Sequence, residues 1–197
     1  SPLFRESGMS LQQTLRRAAC LALLWFGNAL ALADDPVKVL VHQEGQNIIV
    51  DMQMHTPASP REAWAVLTDY THMAAFVPNL RSSTVLEARS NWLKVQQQGS
   101  ARHGFLSFDF DSLREIELMP FERINSRAVG GSIQRLEGVT QLIADASGTE
   151  IRFHSVSVTG FWVPPMVGSM FVKHEVTEQF AAMLGEIQRR RQLHLAQ

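Results

Sequence analysis

The stretch Pro164 to Arg191, PPMVGSMFVKHEVTEQFAAMLGEIQRRR, carries a helical pattern without a break, and a helix that long obliges the rest of the chain to supply a surface for it. Pro165 suits a first turn, where its missing N–H costs nothing. At about 100° per residue, Val172, Val176, Phe180, Met183, Leu184 and Ile187 share one apolar arc, extended by Val167, Met170 and Ala181. Glu175, Glu178, Gln179, Glu186 and Arg189 fall opposite and are expected to be wet, with His174 at the rim. Arg189 to Arg191 stand where the helix dipole favours cations. The arc is wider than a surface helix needs, which predicts a helix held in a curved sheet.

The segments before it supply that sheet. Ile48, Val50, Met52 and Met54 alternate with Ile49, Asp51, Gln53 and His55, the period of a strand with one buried face. Pro57 ends it, and Ser59-Pro60-Arg61-Glu62 provides an N-cap, a first-turn proline and an early acid for a short helix through Leu67. A second helical piece, His72 to Phe76, must stop before Pro78. Short strand-like runs follow at 83–88, 91–99, 106–119, 122–129, 133–144 and 149–158, separated by turn residues. Strands on short loops closed by one long helix predict an α+β domain with an antiparallel meander. Residues 34–46 lack a clear period and read as a leader, with at most a strand at 37–41; the domain is expected over 47–191, with a tail at 192–197.

The chain has 197 residues, 45% hydrophobic and 19% charged, with a net charge of -1. That balance suits one domain and gives no sign of a nucleic-acid partner. Residues 1–8 precede Met9 and are set aside as upstream sequence. From Met9, Arg16 and Arg17, an apolar run from Cys20 to Leu32 and the small-x-small boundary Ala31-Leu32-Ala33 have the order of a secretory signal. Export with cleavage after Ala33 is expected, the alternative being a retained anchor, for which the apolar run is short. Cleavage would remove the only cysteine, Cys20, and with it any disulfide or thiol nucleophile.

The stretch 59–70, SPREAWAVLTDY, continuing to Phe76-Val77-Pro78-Asn79-Leu80, resembles the opening of START-like proteins, specifically the polyketide cyclase/dehydrase and coenzyme Q-binding group. Arg135-Leu136-Glu137-Gly138, Gly148-Thr149-Glu150 and the closing helix follow in that group's order. The resemblance covers about Ile48 to Arg191. It implies a helix-grip fold: an antiparallel sheet of about six or seven strands wrapped around the last helix, two short helices after strand one, and a hydrophobic cavity between sheet and helix. Members bind lipids, sterols, quinones or polyketides, and a minority catalyse cyclisation or dehydration. Fold alone does not choose among these.

No zinc-ligand spacing, dinucleotide fingerprint or nucleophile elbow is present, so no metal, cofactor or catalytic residue is expected. In the strand 106–119, Leu106, Phe108, Phe110, Ser112, Arg114, Ile116 and Leu118 share one face. Arg114 there is either an anchor for a ligand's carboxylate or carbonyl, or half of a buried ion pair. Asp69 and Tyr70 are either an acid and a hydroxyl for chemistry or a helix end that caps and packs. His174 is more simply a rim residue than a base. The candidate lining is Phe76, Phe108, Phe110, Ser112, Arg114, Met170, Phe171 and His174, set for a hydrophobic small molecule. Phe161 and Trp162, before the long helix, read either as a membrane-touching loop or as a buried turn. No motif specifies an oligomeric state. The functions expected are carriage of a lipid, quinone or similar molecule, a cofactor-free cyclase or dehydratase, or a protein-interaction module.

Overall fold

The computed structural model describes residues 35–103, 106–159 and 165–196. The signal-like segment, Phe161 and Trp162 lie outside them. Eight strands form one antiparallel sheet: β1 (Val37–Glu44), β2 (Asn47–Thr56), β3 (Leu80–Arg89), β4 (Trp92–His103), β5 (Leu106–Met119), β6 (Arg123–Gly131), β7 (Ile133–Asp145) and β8 (Gly148–Thr159). Their order is β1-β2-β8-β7-β6-β5-β4-β3, so the first hairpin sits beside the last strand. The α+β expectation holds, with more strands than the six or seven foreseen.

The added strand is β1, which occupies the segment read as a leader. Val37 and Val39 are buried against β2, with Val39 opposite Met52. The alternation was obscured by Leu40, an apolar residue on the outer face that is 70% exposed. β1 lies at one edge of the sheet and β3 at the other.

Between β2 and β3 come α1 (Pro60–Leu67) and a 3-10 turn (Met73–Ala75). Ser59 caps α1 through a reciprocal box: the Glu62 N–H donates to Ser59 Oγ at 3.3 Å, and the Ser59 N–H donates to Glu62 Oε2 at 2.7 Å. α2 (Pro165–Leu195) runs past Arg191, so most of the expected tail is helical. It packs chiefly on β1, β2 and α1. Phe180, Leu184 and Ile187 enter the core, where Phe180 meets Phe153 of β8 with ring centroids 5.2 Å apart. Val176 is half-buried against the same cluster.

The expected wet face of α2 needs correction, because Glu175 is 6% and Glu186 9% exposed. Each has partners that helical periodicity cannot reveal. Arg189 grips Glu186 with two bonds of 2.7 Å, and Arg190 Nε donates to it at 2.6 Å. Arg190 also reaches back to Asp69 Oδ2 at 2.7 Å, tying α2 to the end of α1.

Candidate functional site

The inner face of the sheet is legible row by row. Ile116 of β5 lies opposite Ser126 of β6, which lies opposite Gly138 of β7, which lies opposite Ser155 of β8. The small residues of this row make way for the Phe153 ring, against which a Cβ at Gly138 would press at 3.2 Å. One row over, Arg114 lies between Val95 and Ala128, and beyond it Ser112 lies opposite Gln97 and Phe110 opposite Gly99. The approach at Gly99 is close: a Cβ there would collide with the Phe110 ring and the Asn79 carbonyl. Farther along β5, Phe108 meets Phe171 of α2 edge to face at 5.3 Å.

Phe108, Phe110, Ser112 and Arg114 are thus on the concave side, yet each is only half-buried, whereas Val95 and Ile116 in the same region are fully enclosed. Sheet and helix are tightly packed at the Phe153–Phe180 end and looser along β5. His174 lies half-buried on α2, and Met170 points outward, 65% exposed. Phe76 is placed elsewhere, beneath Arg190, whose guanidinium carbon is 5.5 Å from its ring centroid. By helical rise, Arg190 is about 28 Å along α2 from Phe171. Of the eight expected lining residues, the fold therefore gathers Phe108, Phe110, Ser112 and Arg114 on one face, with Phe171 closing over it.

The polar centre of this face is Arg114. It donates to Gln97 Oε1 through Nη2, while its Nε is shut off from solvent without a hydrogen-bond partner. Burial pushes its pKa down, opposed by the neighbouring Tyr70. Burial likewise pushes the Tyr70 phenol up, so it stays neutral and supplies no counter-charge. Gln97 is held in turn: its Nε2 donates to Ser83 Oγ at 3.0 Å and contacts Met73 Sδ at 3.3 Å. Among the described residues no carboxylate forms an ion pair with Arg114, so a buried ion pair is not the reason for its presence. Residue as a whole, Arg114 is partly exposed; the enclosed part is the base of its guanidinium.

Sequence reasoning missed Gln97, Ser83 and Met73 as partners and saw Tyr70 only as one half of a pair with Asp69. The fold separates that pair. Tyr70 turns inward, while Asp69 accepts from Arg190 and lies 2.7 Å from His72 Nδ1. Burial raises the Asp69 pKa, and its bonds to His72 and Arg190 together outweigh that and hold it low.

Near the start of β3, Asn79 has a left-handed φ of 66° and donates its amide to Glu175 at 3.1 Å and to Glu178 at 3.4 Å. Glu175 also accepts the Arg102 N–H at 3.2 Å. Its burial raises its pKa against those two bonds. His174, Glu175 and Glu178 have one ligand atom each within 4.8 Å of the others, a spacing that can hold a cation, although both carboxylates already have partners. A separate open groove of about 450 Å³ lies at Trp92, Glu117, Asn125, Arg127 and Val139, with Arg127 paired to Glu115 inside it; its charged residues alternate with the inward Arg114 and Ile116 and so face away from α2. No helix among the described residues is long and apolar enough to cross a membrane.

An eight-stranded antiparallel sheet with a long C-terminal helix packed on it defines a recognisable class. The chain belongs to the family described as polyketide cyclase/dehydrase and lipid transport, whose model matches residues 56–184. A search of curated proteins returns no match. Among solved structures, it is similar to the STAR-related lipid transfer protein of Xanthomonas axonopodis, at 16% identity over 79% of this chain and 95% of that one, with a TM-score of 0.66. The Zhui aromatase/cyclase of a Streptomyces species is similar at 17% identity over 73% and 95%, TM-score 0.63. A START superfamily protein of Mycobacterium smegmatis is similar at 13% identity over 72% and 97%, TM-score 0.60. These likenesses establish the helix-grip fold and leave the chemistry to the site.

Proposed function

We propose that this protein binds and carries a hydrophobic small molecule, a lipid, isoprenoid quinone or similar compound, in the space between the sheet and α2. The observation that supports this most is the half-buried concave face of β5, where Phe108, Phe110 and Ser112 are neither packed away nor on the outside of the domain. Apolar lining with few polar groups is the composition of a ligand pocket. The test uses Nile red, a neutral environment-sensitive dye, with the purified full chain. Saturable binding with a blue-shifted emission is expected, weakened about tenfold or more by Phe110→Trp, which adds bulk where Gly99 leaves no slack. Absence of saturable binding, or indifference to Phe110→Trp, would overturn carriage in this space. Conversion of an extracted ligand rather than its return unchanged would favour the cyclase reading.

The setting of that role is export, a reading that rests on Arg16 and Arg17, the apolar run through Leu32 and the Ala31-Leu32-Ala33 boundary. N-terminal sequencing of the protein from its native envelope is expected to begin at Asp34. A mature product still carrying Met9 would point to an anchor instead. Transient membrane contact through Phe161 and Trp162 would suit a carrier and is tested by vesicle co-sedimentation of a double serine variant.

A further inference from the structure

Among the described residues, the inner face of β5 holds a cation with no anion paired to it. Arg114 has one guanidinium nitrogen satisfied by Gln97, an enclosed Nε–H that meets nothing, and a neutral phenol as its titratable neighbour. Guanidinium does not give up its proton in proteins, so the charge stays, and the desolvation of its enclosed Nε–H is uncompensated. Gln97 cannot turn away to relieve it, being fixed by Ser83 and Met73. The enclosed Nε–H and a hydrogen of the neighbouring Nη form a fork of parallel donors, which matches a planar two-oxygen acceptor.

The surroundings set the direction of such a ligand. Arg114 lies next to the closed end of the concave face, beside Val95 and Ile116, both fully buried. Phe110 and Phe108 follow it along β5 toward Phe171 and the exposed Met170. The six residue steps from Arg114 to Phe108 span about 20 Å at a strand's rise. That length matches a long apolar tail, with the head at the inner end.

We propose that the ligand is an anionic amphiphile, a long-chain carboxylic acid in chemical class, bound head-inward with its carboxylate on the Arg114 guanidinium and its tail along Phe110 and Phe108. This rests on the carrier reading and narrows it. The head brings the counter-charge that the fold omits, and the Nε–H gains its acceptor. Neutral molecules of equal length fill the same apolar track but leave Arg114 uncompensated.

The experiment compares palmitic acid with its methyl ester and with hexadecanol, each displacing Nile red from the full chain at neutral pH. The acid is expected to bind at least about tenfold tighter than either neutral analogue, the size of one charge-assisted hydrogen bond. In Arg114→Met, which keeps the stem's apolar volume, that preference should fall below about threefold while dye and ester still bind. Arg114→Lys should retain a partial preference, and Tyr70→Phe should retain most of it. Equal binding of acid and ester to the unaltered protein, which requires no variant to fold, would overturn the anionic head and leave carriage standing. An acid preference that survives Arg114→Met would also overturn it. If neither dye nor any of the three binds, the carrier reading fails as well.

Discussion

Replacing Phe180 by alanine is expected to destabilise the domain by roughly 3–5 kcal/mol, the cost of a large cavity in a packed core. Phe180 is 8% exposed and abuts Phe153 of β8, and its neighbours Leu184 at 4% and Ile187 at 1% are equally committed. The measurement is the urea midpoint, with the slope unchanged if two-state unfolding is kept. A loss below about 1 kcal/mol would mean that α2 does not pack on β8 through this ring. Because Phe180 lies at the packed end, away from Phe108 and Phe171, binding by the surviving folded fraction should change little.

Glu186 supplies the second large effect. Its bidentate bond from Arg189 leads the causes that bring its pKa from 4.5 down to about 2; burial opposes the shift and Arg190 adds to it. A folded-state value below the unfolded one adds stability that is complete above pH 4.5 and is lost as pH falls toward 2. At about 1.4 kcal/mol per unit the shift would be worth some 3 kcal/mol at most. Arg189 is 59% exposed, so solvent screening reduces this to about 2 kcal/mol. Glu186→Gln should therefore be less stable than the unaltered protein by about that amount at pH 7, and the gap should close by about pH 2. An undiminished gap at low pH would show that the residue acts by packing and not by charge.

Much of this was legible beforehand for identifiable reasons. The faces of β5 could be read because a strand's period is two and Phe108, Phe110 and Ile116 mark one side, which placed Arg114 inward. α1 announced itself through Ser59 and Glu62, whose reciprocal bonds are local. What failed was non-local. Glu175 and Glu186 were assigned to the wet face by the helical period, but the partners of Glu175 lie far off in the chain at Asn79 and Arg102, and Glu186 is held by arginines that fold back onto it, one of them tied to distant Asp69. Gln97, one of three successive glutamines, carries no mark in its own segment; only pairing of β3, β4 and β5 brings Ser83 and Arg114 to it. Phe76 belonged to the expected lining by hydrophobicity, and its place under Arg190 depends on how α1 meets α2.

The strand order has a kinetic consequence. β2 pairs with β8, so Asn47 meets Val158 across more than a hundred residues, while every other pairing joins strands adjacent in the chain. Hairpins β3 to β8 can close locally and early, but β1 and β2 have no sheet to join until β8 has been made. During synthesis the β1–β2 hairpin must wait with Ile48, Val50, Met52 and Met54 unburied. That interval is when this chain is most exposed to aggregation, and it ends with the docking of a hairpin made first and seated last.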